Sequence, residues 1–167
     1  FTIRTGQNQG KTYQGTISTS GVIKVTSETS SINTCPICLA VGTLIDSPRG
    51  PIPVEELRIG MVVYTVDSDG TKVTGVISKT ASVSAPSSFK ITDIVLNDGR
   101  SVSASPGHPT ADGRAISDLK LGDTLDGGTV VSMTFTLYSG FTFDILPDGG
   151  TGFYWANEIL LKSTLAQ

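Results

Sequence analysis

A chain of 167 residues has the length of one packed domain, or of one domain with a flanking segment. Its 38% hydrophobic and 16% charged residues are ordinary for a globular body and too apolar for a disordered one. A net charge of −3 and a pI near 5.0 offer no basic excess to neutralise phosphates, which argues against nucleic-acid and membrane-surface partners, and no window has the length of a membrane span.

Residues 1–34 are rich in Thr, Ser and Gly and carry no reactive constellation. Alternation in Thr12–Ser18 and Gly21–Thr26 predicts two strands joined at Thr19-Ser20-Gly21, with Val22, Ile23 and Val25 supplying β-branched packing. The segment reads as the end of an upstream β unit or as a strand pair lying on the main body. The chain opens on Phe1 without a signal-like start, as an excised piece of something longer would, and no compartment is assigned.

The only two cysteines follow, in Cys35-Pro36-Ile37-Cys38. Cys38 heads a short apolar strand, the Ser47-Pro48-Arg49-Gly50 turn reverses the chain, and a compact turn with Val54 and Leu57 comes next. A thiol in that place is either a small buried hydrophobe or a reactive group. From Gly42 onward strands dominate. Met61–Asp67 and Thr71–Ser78 flank the hairpin signal Ser68-Asp69-Gly70; Phe89–Leu96 and Ser101–Ala104 flank Asn97-Asp98-Gly99-Arg100. Strands over Thr129–Tyr138 and Phe141–Leu146 precede a last pair around Phe153–Trp155 and Ile159–Leu161. No segment keeps a helical apolar period, so the expected class is all-β.

The stretch Val54-Glu55-Glu56-Leu57-Arg58-Ile59-Gly60 recurs as Ile116-Ser117-Asp118-Leu119-Lys120-Leu121-Gly122, and each copy follows a Ser-Pro turn, Ser47-Pro48 and Ser105-Pro106. Either chance or a duplicated β unit explains the match. Duplication predicts pseudo-two-fold symmetry, with a cleft where the halves meet.

Four further residues have the right chemistry for a site. His108 is the single histidine, in Ser105-Pro106-Gly107-His108-Pro109, where it is either a surface or capping residue or a rigidly held proton carrier. Ser105 lies three residues before it and can bond a backbone carbonyl. Asp144, in Phe143-Asp144-Ile145, would be costly in an apolar strand unless paired. Asn157, after Tyr154-Trp155-Ala156, is a site residue or a turn residue.

The ordered set resembles the Hint family, the self-processing fold shared by inteins, bacterial intein-like domains and the Hedgehog autoprocessing domain. Cys38-Leu39-Ala40 with Gly42-Thr43 and Ile52–Gly60 is similar to its first motif, and Ser105-Pro106-Gly107-His108 to its Thr-x-x-His motif, with Ser for Thr. Phe143-Asp144 is similar to its late Tyr/Phe-Asp position, and Asn157 to its terminal asparagine. The resemblance implies a Hint domain over residues 38–157, an upstream segment 1–37 and a tail 158–167. It implies an N-to-S acyl shift in which Cys38 attacks the Ile37 carbonyl, His108 protonates the departing nitrogen, Ser105 holds the scissile carbonyl and Asp144 orients groups or relays the thiol proton. The substrate is then the chain's own flank, released by water or a small nucleophile, with no cofactor or metal and a monomer expected. Ala156 and Glu158 depart from the histidine and acceptor that ordinary splicing uses, so amino-side cleavage is the expected outcome. Cys35 and Cys38 have the spacing of a redox pair; zinc would need two more ligands, with His108 and one carboxylate the only supply. The rival readings are a β-rich binding module with a structural Cys35–Cys38 disulfide and a Hint domain that has lost activity.

Overall fold

The computed structural model describes residues 2–6, 9–21, 23–31 and 38–166, and divides the chain into two compact units, Phe1–Cys35 and Pro36–Gln167. The first is an antiparallel meander of β1 (Thr2–Gly6), β2 (Gln9–Ile17) and β3 (Ile23–Ser31). The predicted turn is present: the Gly21 amide donates to the Ser18 carbonyl at 2.9 Å. Ile23 and Val25 are exposed rather than packed, which corrects the expectation for them; Val22 lies outside the described residues.

The second unit is built almost wholly of antiparallel strands, as expected. β4 (Leu39–Ala40), β5 (Leu44–Ile45) and β6 (Ile52–Pro53) are two-residue strands too short for any periodicity. β7 (Val62–Val66) and β8 (Lys72–Ser84) form the first predicted hairpin, and β9 (Lys90–Leu96) and β10 (Ser101–Ala104) the second. β8 continues six residues past the predicted Ser78 because its second half pairs with a different strand, β13 (Phe141–Pro147). The short β11 (Thr124–Leu125) and long β12 (Gly128–Leu137) precede β13, and β14 (Phe153–Ala156) and β15 (Ile159–Lys162) close the chain. The larger sheet runs β11-β12-β9-β10-β4-β13-β8-β7, the smaller β15-β14-β5-β6. Leu39, Ile45, Val63, Ile77, Ile94 and Ile145 fill the core between them with no measurable exposure beyond 1%.

The sequence echo is also a geometric one. Val54–Glu56 and Ile116–Asp118 each form a single 3₁₀ turn, closed by Leu57 and Leu119 amides donating to the Val54 and Ile116 carbonyls, both at 3.3 Å. Val54, Leu57, Ile116 and Leu119 are buried, whereas Ile59 and Leu121 face outward at 66% and 67% exposure. Gly60 and Gly122 end the copies at φ 90° and 89°, a conformation that only glycine adopts cheaply. The two segments share the turn, the buried first and fourth positions and the closing left-handed glycine, which favours the duplicated unit over chance.

The expected last strand within residues 158–166 is present: β15 pairs with β14 along its whole length. The connecting turn places both Asn157 (φ 48°) and Glu158 (φ 64°) in the left-handed region, the pattern of a two-residue type I′ hairpin. Asparagine tolerates that conformation; glutamate does so at a cost of roughly 1–2 kcal/mol. Glu158→Gly should therefore raise stability by about 1 kcal/mol, read as a higher urea midpoint at unchanged m-value, and Glu158→Ala should not.

Candidate active site

Register alone assembles the first half of the site. β4 lies between β10 and β13, with Leu39 opposite Ala104 on one side and Phe143 on the other. One residue further along each antiparallel pair, Cys38 falls opposite Ser105 and opposite Asp144. The Ser105 amide donates to the Cys38 carbonyl at 2.9 Å; its Oγ donates to that same carbonyl and accepts from the Cys38 amide, both at 2.8 Å. Ser105 thus grips the nitrogen side of the Ile37–Cys38 bond. The carbonyl it bonds among the described residues is that of Cys38; the expected contact with the scissile carbonyl falls on Ile37, outside them. Ile37 and Cys35 lie outside the described residues, so the Cys35–Cys38 pair does too; Cys38 itself carries a free thiol.

His108 arrives on the same loop. Its amide donates to the Ser105 carbonyl at 2.9 Å, closing the Ser-Pro-Gly-His turn, and its carbonyl accepts from Ile116 at 2.9 Å, which ties the loop to the second copy of the repeated unit. The ring is fully buried, edge-on to Tyr154 with centroids 6.4 Å apart. Tyr154 Oη sits 3.2 Å from His108 Nε2 and donates to Asp144 Oδ1 at 2.8 Å.

Asp144 is the most densely bonded carboxyl of the site. Oδ1 also accepts from the Ile145 amide at 2.8 Å; Oδ2 accepts from the Thr164 amide at 2.7 Å, Thr164 Oγ1 at 2.6 Å and Ser163 Oγ at 3.3 Å. Five donors around two oxygens suit an acceptor-only carboxylate and remove the objection to an aspartate in an apolar strand. Its position beside the thiol has a chemical cost. Burial, and then the Asp144 charge, push the Cys38 thiol up to about 12, with the Thr142 hydroxyl opposing them weakly. The same two causes hold the Tyr154 phenol well above its ordinary value, so it remains a donor.

Of the five residues expected from the sequence, Cys38, Ser105, His108 and Asp144 converge and Asn157 does not. Its amide donates to the Leu44 carbonyl at 2.7 Å, its Oδ1 accepts from the Leu44 amide at 2.8 Å, and its Nδ2 donates to the Ser101 carbonyl at 2.9 Å. It sits in the turn between β14 and β15 and borders an open cavity of about 660 Å³ with Leu44, Arg100 and Ser101. The carboxyl-terminal chain reaches the site six residues later, at Ser163 and Thr164. The Lys162 amide donates to the Pro109 carbonyl at 3.1 Å and the Ser163 amide to Gly152 at 2.7 Å, steering them there. Sequence reasoning missed Thr142, Tyr154, Ser163 and Thr164. Thr142 and Tyr154 each lie at an even strand spacing from an inward residue, a signal that marks burial without marking chemistry.

The strand order, the duplicated turn and the Cys38–Ser105–His108–Asp144 cluster define an intein-like Hint fold. The family model described as the Hint domain matches residues 37–111. Solved structures agree on the fold. A bacterial intein-like domain from Clostridium thermocellum superposes with a TM-score of 0.66 at 16% identity, covering 75% of this chain and 97% of that one. A DnaB intein from Synechocystis sp. PCC 6803 gives 0.65 at 16% identity, covering 77% and 99%. The gp41-1 intein gives 0.59 at 21% identity, covering 75% and 97%. No curated protein matches the chain.

The electrostatics make a counter-intuitive prediction. Asp144→Asn removes a charge that disfavours the thiolate, so Cys38 should be alkylated faster by iodoacetamide at a given pH in a Cys35→Ser background. In the Cys35→Ser parent the rate should climb about tenfold per pH unit through the alkaline range without a plateau below pH 10.

Proposed function

We propose that this domain cleaves its own chain at Ile37–Cys38 by an N-to-S acyl shift. The single observation that carries the reading is the Ser105 clamp on the Cys38 amide, the nitrogen that must depart. In the step, Cys38 Sγ bonds to the Ile37 carbonyl carbon and the C–N bond breaks. The thiol proton ends on the Cys38 nitrogen, and the product is a thioester with a free amine. Ser105 Oγ is an acceptor already within bonding distance of that nitrogen and favours it increasingly as it gains protons.

Burial and the Asp144 charge keep the Cys38 thiol protonated near neutral pH, so attack is coupled to proton transfer through a neighbouring base rather than preceded by ionisation. His108 is the base and then the acid, on a loop bonded to Cys38 through Ser105. Asp144 balances the positive charge His108 carries in between. Water or an added nucleophile releases residues 1–37 from the thioester.

The proposed reaction does not extend to carboxyl-side cleavage. Asparagine cyclisation needs an asparagine beside the catalytic groups, and the residues beside Asp144 are Ser163 and Thr164. The domain therefore separates its upstream flank and keeps β15.

Incubation with hydroxylamine should yield fragments of residues 1–37 and 38–167. Cys38→Ala should abolish them and His108→Ala slow them by about 10²–10³-fold. Asn157→Gly, which keeps the turn, should cleave at the parent rate by mass spectrometry. A chain that stays inert after reduction would favour the structural-module reading. The Cys35–Cys38 pair would gate the reaction by sequestering the nucleophile; comparing hydroxylamine cleavage with and without a prior reducing step, followed by removal of the reductant, tests this, and equal yields reject the gate.

A further inference from the structure

The phenol of Tyr154 has no part in the mechanism derived so far, yet it stands between the two groups that must share charge. His108, Tyr154 and Asp144 are each 0% exposed, so no bulk water competes for their bonds. Tyr154 Oη donates its one proton to Asp144 Oδ1 at 2.8 Å, since a carboxylate has none to give. What remains on that oxygen is acceptor capacity, so the contact to His108 Nε2 at 3.2 Å is satisfied only when Nε2 carries the hydrogen. The geometry points to Tyr154 as a positioning residue that locks His108 in its Nε2–H tautomer and conducts the influence of Asp144 to the imidazole. This rests on the acyl-shift reading and specifies which nitrogen does the work.

The consequence for the reaction is definite. With Nε2–H committed to Tyr154, the basic nitrogen of the neutral ring is Nδ1. Nδ1 takes the Cys38 thiol proton as sulfur attacks and returns that same proton to the Cys38 nitrogen as the C–N bond breaks. The Nε2 hydrogen stays in place throughout. During the interval when the ring is cationic, both of its hydrogens are donors, and the chain Nε2–H to Tyr154 Oη to Asp144 Oδ1 spreads the charge over two hydrogen bonds instead of one. The arrangement has the logic of an imidazole oriented by a buried carboxylate, with a phenol inserted between them.

A single histidine makes the test clean, because ¹⁵N labelling of histidine gives the two nitrogen signals of one ring. The full chain carrying Cys38→Ala stays intact during the measurement. Between pH 7 and 8 its Nε2 should show the protonated, pyrrole-type shift and Nδ1 the bare, pyridine-type shift. Tyr154→Phe on that background should collapse the two toward intermediate values as the tautomers mix, with the amide spectrum confirming an unchanged fold. Should Tyr154→Phe not fold, Asp144→Ala serves instead, since with that acceptor removed the Tyr154 proton turns to Nε2 and should shift the ring toward Nδ1–H. In the cleavable chain Tyr154→Phe should slow hydroxylamine cleavage by about 10–100-fold. A parent ring protonated at Nδ1, or ¹⁵N shifts unmoved in a folded variant, overturns the assignment. The two proposals fail separately: a chain that cleaves with the wrong tautomer removes the Tyr154 role alone, and an inert chain with the right tautomer removes the acyl shift.

Discussion

Everything in the site depends on the register of a two-residue strand. β4 is held between β10 and β13, and the pairing of Leu39 with Ala104 and Phe143 leaves Cys38 opposite Ser105 and Asp144. A slip of one residue on either side would turn those side chains to the other face. The core prevents the slip, because Leu39, Ala104 and Ile145 would have to leave it with the site residues. Packing energy that keeps leucine and isoleucine out of water is thus what sets sulfur, hydroxyl and carboxylate within reach of one another.

The same construction explains how a polar cluster survives in a hydrophobic interior. Asp144 brings a negative charge to a place where it raises both the Cys38 and Tyr154 pKa values. The price is met by five hydrogen bonds, three of them from Ser163 and Thr164 just beyond β15. Closure of the last hairpin is therefore a condition for placing that charge beside Tyr154 and His108. Stability and chemistry share the same residues here, so variants at Asp144 or Thr164 act on both.

Much of the fold was legible because β-strand signals are local. The Ser68-Asp69-Gly70 and Asn97–Arg100 turns, the β7 to β10 strands and the repeated turn all declare themselves within a few residues. β4, β5, β6 and β11 do not, since two-residue strands exist only through pairing with distant chain. Cys38, Ser105, His108 and Asp144 were legible as rare or costly residue types in ordered motifs. Asn157 stayed open between two readings for a physical reason: the residue type that suits a scission site also suits a left-handed hairpin turn, and the structure places it in such a turn at φ 48°. Tyr154 was silent because a buried tyrosine in a strand is ordinary; its role lies in what its hydroxyl meets.

The central claim is that sulfur replaces nitrogen on the Ile37 carbonyl, and the new end of the released segment records it. Tandem mass spectrometry of the upstream fragment after hydroxylamine treatment should find residues 1–37 ending in a hydroxamate at Ile37, absent from Cys38→Ala. A fragment ending there as a plain carboxylate in both chains would mean ordinary hydrolysis and contradict the thioester.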